Sequence, residues 1–384
     1  MIPLRLAFGL LLLPWVATAA PAARKVRDLE IYADPKFHAA FPSVIRRPDG
    51  EVIVAFRRAP NRLAFGEAKN NHVDPNSQLV LVRSSDGQTW TSPPELLHAH
   101  ALVGSQDPCL LQLRDGTVLC MSYGWAFLRP DGVAKLAAPF LQNYPGSIFS
   151  GGYYLRSTDG GRSWAGPLTP PHITPEILRD PYGKPLPAYN RGALVEAGDG
   201  RLHWVVAATE NLSPHRSSTH LLTSTDRGQS WTYTAAVAAD PIASFNETSL
   251  HVTPRGDLVA FLRSERLGDE ACFARSTDGG RTFQPWQRLG FRGHPLHALR
   301  LPDDRVLLTY GYRHAPYGIR ARILNPECTD AADAPEIILR ADGGTTDLGY
   351  PWSVQLDATR VLVTYYFNTP GRVPFIAGTI LSIE

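Results

Sequence analysis

The sequence predicts an all-β protein, a six-bladed β-propeller with tight repeated turns and with its first and last strands sharing one blade. Three observations support this fold class: a short turn motif that recurs four times, a strand–turn–strand pattern that recurs six times, and a high content of turn formers. The 32 glycines and 33 prolines among 384 residues suit many short strands better than long helices.

The turn motif has three full-length copies and one copy that is a residue shorter. Its members begin with Ser, carry Asp two positions later and end with an aromatic residue; they span residues 84–90, 157–164, 224–231 and 276–283. Asp and Ser side chains hold such turns by hydrogen bonding to nearby backbone N–H groups. Four equivalent sites would not each carry chemistry, so we assign a structural role to Asp86, Asp159, Asp226 and Asp278.

The longer pattern is an apolar strand, a turn that usually contains Asp-Gly, and a second apolar strand. Its six instances cover residues 41–56, 107–123, 191–206, 247–262, 295–312 and 350–367. Six units of about four strands predict six blades, closed by pairing residues 26–32 with 375–383. The segments 126–151 and 166–188 are predicted loops. Two β-sandwich domains are the alternative, but they would not explain a repeat that runs through the whole chain.

The N-terminus has the pattern of a secretory signal peptide. Arg5 precedes a mostly apolar run over residues 6–16, and small residues follow at 17–20, as signal peptidase requires. The run is short for a membrane span, so a retained anchor is the less favoured alternative. We therefore expect residues 1–20 to be removed, residues 21–384 to form a single domain, and the protein to be secreted or periplasmic.

Charge and cysteine content exclude several classes of protein. The 38 Lys+Arg and 36 Asp+Glu give a net charge of +2, too balanced for a protein built mainly to bind nucleic acid or a membrane surface. The four cysteines lack zinc-ligand spacing. Cys109 and Cys120 flank a predicted hairpin turn, where either a disulfide or two buried thiols would fit. We expect no cofactor and no catalytic metal, and a structural Ca²⁺ stays open.

The first strands of the six repeats begin with an unusual set of residues. These residues are Phe41, Asp107, Arg191, Glu247, His294 and Tyr350. Five of the six are polar or ionisable, although core-facing positions should be apolar. In a propeller these positions converge at one mouth of the central channel, so we predict a polar binding site there. The simpler alternative is that strand ends lie near solvent.

The recurring Ser-x-Asp-x-Gly-x-Thr-Trp motif resembles the Asp-box of the sialidase superfamily, and the resemblance covers essentially the mature chain. It implies the propeller fold and an exo-glycoside hydrolase that removes a terminal acidic sugar from glycans. The motif is specific for the fold rather than for one activity, because it also occurs in binding propellers and in enzymes that act on other sugars.

The resemblance implies three catalytic residues. Tyr350 occupies the place of the nucleophilic tyrosine, and Glu247, in an Asn-Glu segment, that of its partner. Asp74 is the only Asp on the first-blade loop that carries the acid/base in sialidases. Glu67 is the alternative candidate for the acid/base, and the role of His72 on the same loop is also undecided.

Sialidases hold the substrate carboxylate with three arginines, whose guanidinium forks match its geometry. Arg263 matches the second of these arginines and Arg313 is our candidate for the third. The position of the first is occupied by Ala40, a clear departure from the family pattern, and Arg57 is our candidate substitute. Arg320 is the alternative candidate for the third arginine, and Arg58 is the alternative candidate for the first.

The remaining ring residues, Asp107, Arg191 and His294, are assigned to substrate binding. A His at the start of the fifth blade is unusual for a sialidase. It leaves open a hydrolase or polysaccharide lyase for uronic or other sugars, with His294 and Tyr350 as its acid/base pair. A non-catalytic propeller that binds carbohydrate is the third hypothesis for the function. We expect a glycan substrate, no nucleic-acid partner, no membrane partner after signal cleavage, and a monomer.

Overall fold

The computed structural model describes residues 23–67 and 72–384, and the predicted signal peptide lies outside this range. The regular secondary structure of the described residues is almost entirely strand, with one 3-10 helix over Arg62–Phe65 and one short helix, α1, over Pro130–Val133. In chain order the strands are β1 (Ala23–Tyr32), β2 (Phe37–Arg46), β3 (Val52–Pro60), β4 (Gln78–Ser84), β5 (Glu95–His98), β6 (Gly104–Ser105), β7 (Cys109–Gln112), β8 (Val118–Phe127), β9 (Ser147–Ser157), β10 (Ala165–Leu168), β11 (Val195–Glu196), β12 (Leu202–Leu212), β13 (His215–Ser224), β14 (Thr232–Ala238), β15 (Ser244–Val252), β16 (Leu258–Glu265), β17 (Glu270–Ser276), β18 (Gln287–Arg292), β19 (Leu296–Arg300), β20 (Val306–Tyr312), β21 (Gly318–Leu324), β22 (Ile337–Arg340), β23 (Gly349–Gln355), β24 (Arg360–Phe367) and β25 (Phe375–Ile383).

Within the described residues these strands form six small antiparallel sheets, which are the predicted six blades. Blade 1 is β2 to β5, blade 2 is β6 to β10, blade 3 is β11 to β14, blade 4 is β15 to β18, blade 5 is β19 to β22, and blade 6 is β23, β24, β25 and β1. The first strands of five neighbouring pairs of blades contact one another: β2 contacts both β23 and β7, β15 contacts β11 and β19, and β19 contacts β23. The fold class predicted from the repeats is therefore confirmed.

Blade 6 closes the ring as the sequence predicts. The N-terminal strand β1 pairs antiparallel with the C-terminal strand β25, from Ala23 opposite Ile383 to Tyr32 opposite Ile376. Hydrogen bonds between the N-terminal and C-terminal strands thus close the propeller.

The apolar runs of the sequence lie in the middle strands of the blades. Residues 52–56 and 258–262 are buried throughout, rather than alternating between buried and exposed. Neighbouring blades cover both faces of each sheet, and a strand covered on both faces is apolar at every position. This arrangement explains why the sequence shows short continuous apolar runs instead of strict alternation.

The Asp-box turns form the predicted local hydrogen bonds. In each box the Ser hydroxyl donates to the Asp carboxylate over 2.7–2.8 Å, and the same carboxylate accepts backbone N–H groups from the turn. These bonds lower the pKa of the carboxyls. The terminal aromatic residues Trp90, Trp164, Trp231 and Phe283 pack against the blade cores, so the structural role of the boxes is confirmed.

The structure decides between the two alternatives for Cys109 and Cys120 and corrects one predicted loop. Both cysteines are free buried thiols, the second of the alternatives that the sequence left open. Cys109 lies opposite Met121 and Leu110 opposite Cys120, so the two thiols point to opposite faces of the sheet and cannot pair. The predicted loop 126–151 is partly strand, because β8 runs to Phe127 and β9 starts at Ser147.

Candidate active site

Three of the first strands carry a β-bulge at the same height near the mouth. The register shifts between Ala40 and Ser43 in β2, between Asn246 and Ser249 in β15, and between Gly349 and Trp352 in β23. Phe41 and Tyr350, both inside these bulges, have φ of +58° and +53°. Non-glycine residues seldom adopt this conformation, and such strain and bulges cluster at functional sites. The bulges turn the side chains at 41, 247 and 350 towards the channel mouth.

Tyr350 of blade 6 and Glu247 of blade 4 meet at this mouth. The Tyr350 hydroxyl donates a hydrogen bond of 2.5 Å to Glu247 Oε1. Arg263 donates from Nη1 to the Tyr350 hydroxyl over 3.1 Å and also to Glu247 Oε2. Their side chains are all less than one fifth exposed, so the geometry joins a phenol, a carboxylate and a guanidinium in one buried cluster.

The electrostatics of this cluster separate the two acidic groups. Burial raises the pKa of Tyr350, and the Glu247 charge raises it further. Burial alone would raise the pKa of Glu247, but Arg263 and the Tyr350 hydrogen bond outweigh it and the pKa is lowered. The resting state is therefore a neutral phenol beside an ionised carboxylate that can accept its proton.

Arg313 completes the blade 5 side of the cluster. Its guanidinium carbon lies 5.3 Å from the centroid of the Tyr350 ring. Nη2 donates to the Tyr366 hydroxyl over 3.1 Å and Nε to the backbone oxygen of Leu348 over 3.0 Å. The structure thus brings Arg263 and Arg313 to the same tyrosine. The runner-up Arg320 lies elsewhere in blade 5, where it contacts Glu336.

Arg57, the candidate substitute for an arginine at position 40, lies next to that position in the structure. Ala40 and Arg57 are directly opposite each other in the β2–β3 pair, and opposed residues project from the same face of a sheet. The guanidinium is fully buried, and none of its three nitrogens has a hydrogen-bond partner among the described residues. Burial lowers its pKa, and the nearby Asp74 and Asp107 offset only part of that effect. The alternative, Arg58, instead stacks on Phe37.

Asp107 and Arg191 lie deeper in the centre of the propeller. They are 3.8 Å apart and almost fully buried. Burial raises the pKa of Asp107 to about 7 despite the opposing influence of Arg191. Arg191 donates to the backbone oxygens of Pro42 and Tyr350 over 2.9 and 3.3 Å. It therefore supports the bulged strands of blades 1 and 6 from below.

His294 lies at the start of blade 5 as expected, but its imidazole contacts Asp269. Its Nε2 is 3.4 Å from Asp269, which His314 also approaches to 3.2 Å. His294 is 5% exposed, and burial lowers its pKa. Within the part of the chain that the structure describes, no hydrogen bond joins His294 to Tyr350.

Asp74 lies on the first-blade loop, where it is bound by an arginine. Arg62 donates to its two carboxylate oxygens over 2.6 and 2.9 Å, and the backbone N–H of Asn76 adds a third bond. Asp74 is 4% exposed. The competitor Glu67 also contacts Arg62.

The sequence analysis missed Asp347, which lies at the blade 6 side of the mouth. Its carboxylate is 2.9 Å from His72 Nε2 and 3.4 Å from His38 Nε2, and it accepts a hydrogen bond of 3.1 Å from the Tyr366 hydroxyl. No repeat or spacing marks this residue; only its position three residues before Tyr350 could have drawn attention to it.

A cavity of about 170 Å³ opens beside Glu247 and Arg191. Tyr123, Trp125, Phe149 and Tyr189 form an aromatic part of its wall, and polar residues such as Asn246 line much of the rest. Among residues 23–67 and 72–384, no cluster of three or more His, Cys, Asp or Glu side chains could hold a metal ion. No helix in this described part is long and apolar enough to cross a membrane.

Comparison with known proteins identifies the family. Residues 141–363, more than half of the chain, match the family described as BNR repeat-like domain. The chain belongs to this family. A crystal structure of a protein of unknown function from Dyadobacter fermentans is 64% identical, with a TM-score of 0.94, and the match covers 95% of this chain and 100% of that one. No curated protein matches the sequence.

Solved sialidases share the fold at low identity. The Hadza microbial sialidase Hz136 is 18% identical, with a TM-score of 0.63, over 89% of this chain and 65% of its own. Trypanosoma rangeli sialidase in complex with sialic acid is 14% identical, with a TM-score of 0.61, over 95% of this chain and 59% of its own. The chain thus spans less than two thirds of either sialidase. The expected six-bladed propeller is confirmed as the fold, and it is the fold that these sialidases share.

Proposed function

We propose that the protein is an exo-glycoside hydrolase that removes a terminal acidic sugar, of the sialic acid type, from glycans. The observation that carries this proposal is the hydrogen bond between the Tyr350 hydroxyl and Glu247, with Arg263 in contact with both. A structural neighbour of the same fold binds sialic acid, which makes this sugar the first substrate to test.

A tyrosine nucleophile suits an anomeric carbon that bears a carboxylate. An ionised Asp or Glu nucleophile would be repelled by that carboxylate, whereas a neutral phenol is not. Glu247 takes the proton of Tyr350 as the phenol oxygen bonds to the anomeric carbon. Arg263 holds Glu247 in place and keeps it ionised until that step.

The substrate carboxylate has a matching set of partners. Arg263 and Arg313 flank Tyr350, and Arg57 offers a buried guanidinium without a hydrogen-bond partner among the described residues. A buried charged group normally has partners. A carboxylate from the ligand would supply them to Arg57.

The lyase alternative has less support. It would use His294 with Tyr350, but His294 is bound to Asp269 and the phenol to Glu247. Three arginines at the mouth also fit a bound acidic sugar better than a neutral one.

The test is fluorescence release from the 4-methylumbelliferyl glycoside of sialic acid. Tyr350→Phe and Glu247→Gln should each lower kcat at least about 1,000-fold, because they remove the nucleophile and its base. Tyr365→Phe is the matched control. It removes another buried blade 6 hydroxyl, bonded to Thr379 over 2.7 Å, and should keep kcat within a few-fold of wild type. A wild-type protein that does not turn over this substrate would refute exo-sialidase activity, and uronate-containing glycans would be tested next.

A further inference from the structure

Besides Tyr350 and Glu247, the mouth carries a second pair of side chains suited to proton transfer, His72 and Asp347. Asp347 holds the imidazoles of His72 and His38, at 2.9 and 3.4 Å from its two oxygens. The two histidines differ in access, because the His38 side chain is 2% exposed and the His72 side chain is 43% exposed. Only His72 is placed to meet a ligand.

His72 lies next to the aromatic residues that surround the nucleophile. Its ring centroid is 5.4 Å from that of Phe41, which in turn lies 4.8 Å from the Tyr350 ring. One aromatic ring therefore separates His72 from the proposed nucleophile. A sugar that spans the mouth above Phe41 would have Tyr350 on one side and His72 on the other.

The hydrogen bond to Asp347 leaves one imidazole nitrogen free for chemistry. Nε2 faces the carboxylate, so a neutral ring presents a lone pair at Nδ1 and a charged ring presents an N–H there. A carboxylate in this position orients the imidazole. Among the described residues, Nδ1 of His72 has no hydrogen-bond partner.

Asp74, the residue expected to transfer the proton, has a different environment. Arg62 binds both of its oxygens over 2.6 and 2.9 Å. Protonation of Asp74 would weaken both of these charge-assisted bonds. Its geometry suits a residue that anchors the loop near His72 better than a proton donor.

We propose that His72, oriented by Asp347, is the general acid and base of the reaction. This inference rests on the proposed glycosidase function. In the first step the Tyr350 oxygen bonds to the anomeric carbon, its proton passes to Glu247, the glycosidic C–O bond breaks and the leaving oxygen takes a proton from His72 Nδ1. In the second step water attacks the anomeric carbon and gives a proton to Nδ1, while the tyrosyl C–O bond breaks and the phenol regains its proton from Glu247.

Asp347 is a positioning residue that also connects the two sides of the mouth. It accepts from the Tyr366 hydroxyl over 3.1 Å, and that hydroxyl accepts from Arg313 over 3.1 Å. Arg313, proposed to bind the substrate carboxylate, is thus linked through two hydrogen bonds to the carboxylate that orients His72.

The test compares aryl and alkyl glycosides of sialic acid that differ in leaving-group basicity. A nitrophenol leaves without protonation, whereas a sugar hydroxyl needs it, and proton donation contributes about 10²–10⁴-fold. In kcat/KM, which reports the first step, His72→Ala should lose that factor on a sialyl disaccharide and less than about tenfold on the nitrophenyl glycoside. Its kcat on the nitrophenyl glycoside should fall by more, because the second step then lacks its general base. Asp347→Asn should change the leaving-group dependence in the same direction by a smaller factor. Added azide, which needs no general base, should restore turnover of His72→Ala on the nitrophenyl substrate and yield a glycosyl azide.

Two further variants make the outcome unambiguous. Asp74→Asn should keep the wild-type leaving-group dependence, and His100→Ala, which removes a half-buried histidine outside the mouth, should match wild type throughout. The reverse pattern, in which Asp74→Asn loses disaccharide activity and responds to azide while His72→Ala does not, would overturn the assignment and leave the proposed function intact. Absence of turnover by wild type on every glycoside would overturn both.

Discussion

Replacing Arg57 by methionine should raise stability and strongly lower activity. The guanidinium is fully buried, and its three nitrogens have no hydrogen-bond partner within the described residues. Methionine retains most of the side-chain volume and adapts to the existing packing. The substitution thus removes the charge and leaves the core almost filled.

The magnitude follows from the cost of an unpaired charge. Burying an ion lowers the free energy of unfolding by several kcal/mol. The attraction of nearby carboxylates such as Asp107 offsets part of this cost. We expect the free energy of unfolding to increase by about 1–3 kcal/mol, a rise in Tm of roughly 1–4 °C for a chain of this size. Loss of a charge-assisted pair with the substrate carboxylate should cost about 2–5 kcal/mol. The corresponding loss in kcat/KM is roughly 30- to 4,000-fold.

The assay is thermal denaturation at pH 7 together with kcat/KM on the 4-methylumbelliferyl sialic acid substrate. Arg83→Met is the matched control. Arg83 is also a buried blade 1 arginine, but it donates to Glu95 and to the backbone oxygens of Gly160 and Gly161. Its loss leaves those acceptors unpaired, so this variant should be about 2–4 kcal/mol less stable with unchanged kcat/KM.

Two results would refute the reasoning, each on a different point. A lower Tm for Arg57→Met than for wild type would mean that the fold relies on this charge. A kcat/KM within threefold of wild type would mean that Arg57 does not bind the substrate.

Two further predictions concern stability. Gly280 has φ of +88°, and a Cβ there would lie 2.6 Å from Leu221 in the neighbouring blade, whereas Gly256 has φ of +89° and open space. Gly280→Ala should therefore be about 1–2 kcal/mol less stable than Gly256→Ala in chemical denaturation, and equal losses would contradict tight packing of the box onto that blade. The pKa of Asp107 is raised to about 7, so the folded state binds more protons than the unfolded state between about pH 4 and pH 7, and stability falls as pH rises through this window. Asp107→Asn should flatten that part of the Tm–pH curve, although Glu176, whose pKa burial also raises to about 7, keeps some slope; an unchanged curve would contradict the raised pKa.

The fold could be predicted from the sequence because each blade repeats the same local chemistry. The Asp-box turns depend on hydrogen bonds within five residues, which any copy of the motif can form by itself. The blade number follows from counting the apolar strand pairs, and closure follows from the strand-like segments at both ends. The thiols of Cys109 and Cys120 could not be assigned in this way, because one residue of register decides which face each side chain occupies.

The site could be predicted where a residue stands at a strand start or matches a position of the family pattern. Glu247 and Tyr350 were selected in this way, and the structure places them in contact. Asp347 was missed because it lies in the connection before β23, where no repeat fixes its position. The use of Arg57 rather than Arg58 was also open, since only the pairing of Ala40 with Arg57 across β2 and β3 decides which of them faces the mouth.

The polar atoms that lack partners at the mouth indicate the kind of ligand that would satisfy them. Within the described residues, the atoms without a hydrogen-bond partner include the guanidinium of Arg57, Nε of Arg263, Oδ1 of Asn246 and the carboxylate of Asp107, which has only its ion pair with Arg191. Each unpaired buried group costs about 1–3 kcal/mol, so folding alone does not favour keeping four of them close to one another. The first two are donors that match an anion, and the last two can accept hydrogen bonds from hydroxyl groups. An inorganic anion would satisfy only the donors and a neutral sugar chiefly the acceptors, whereas an acidic sugar presents both a carboxylate and hydroxyls to the same mouth.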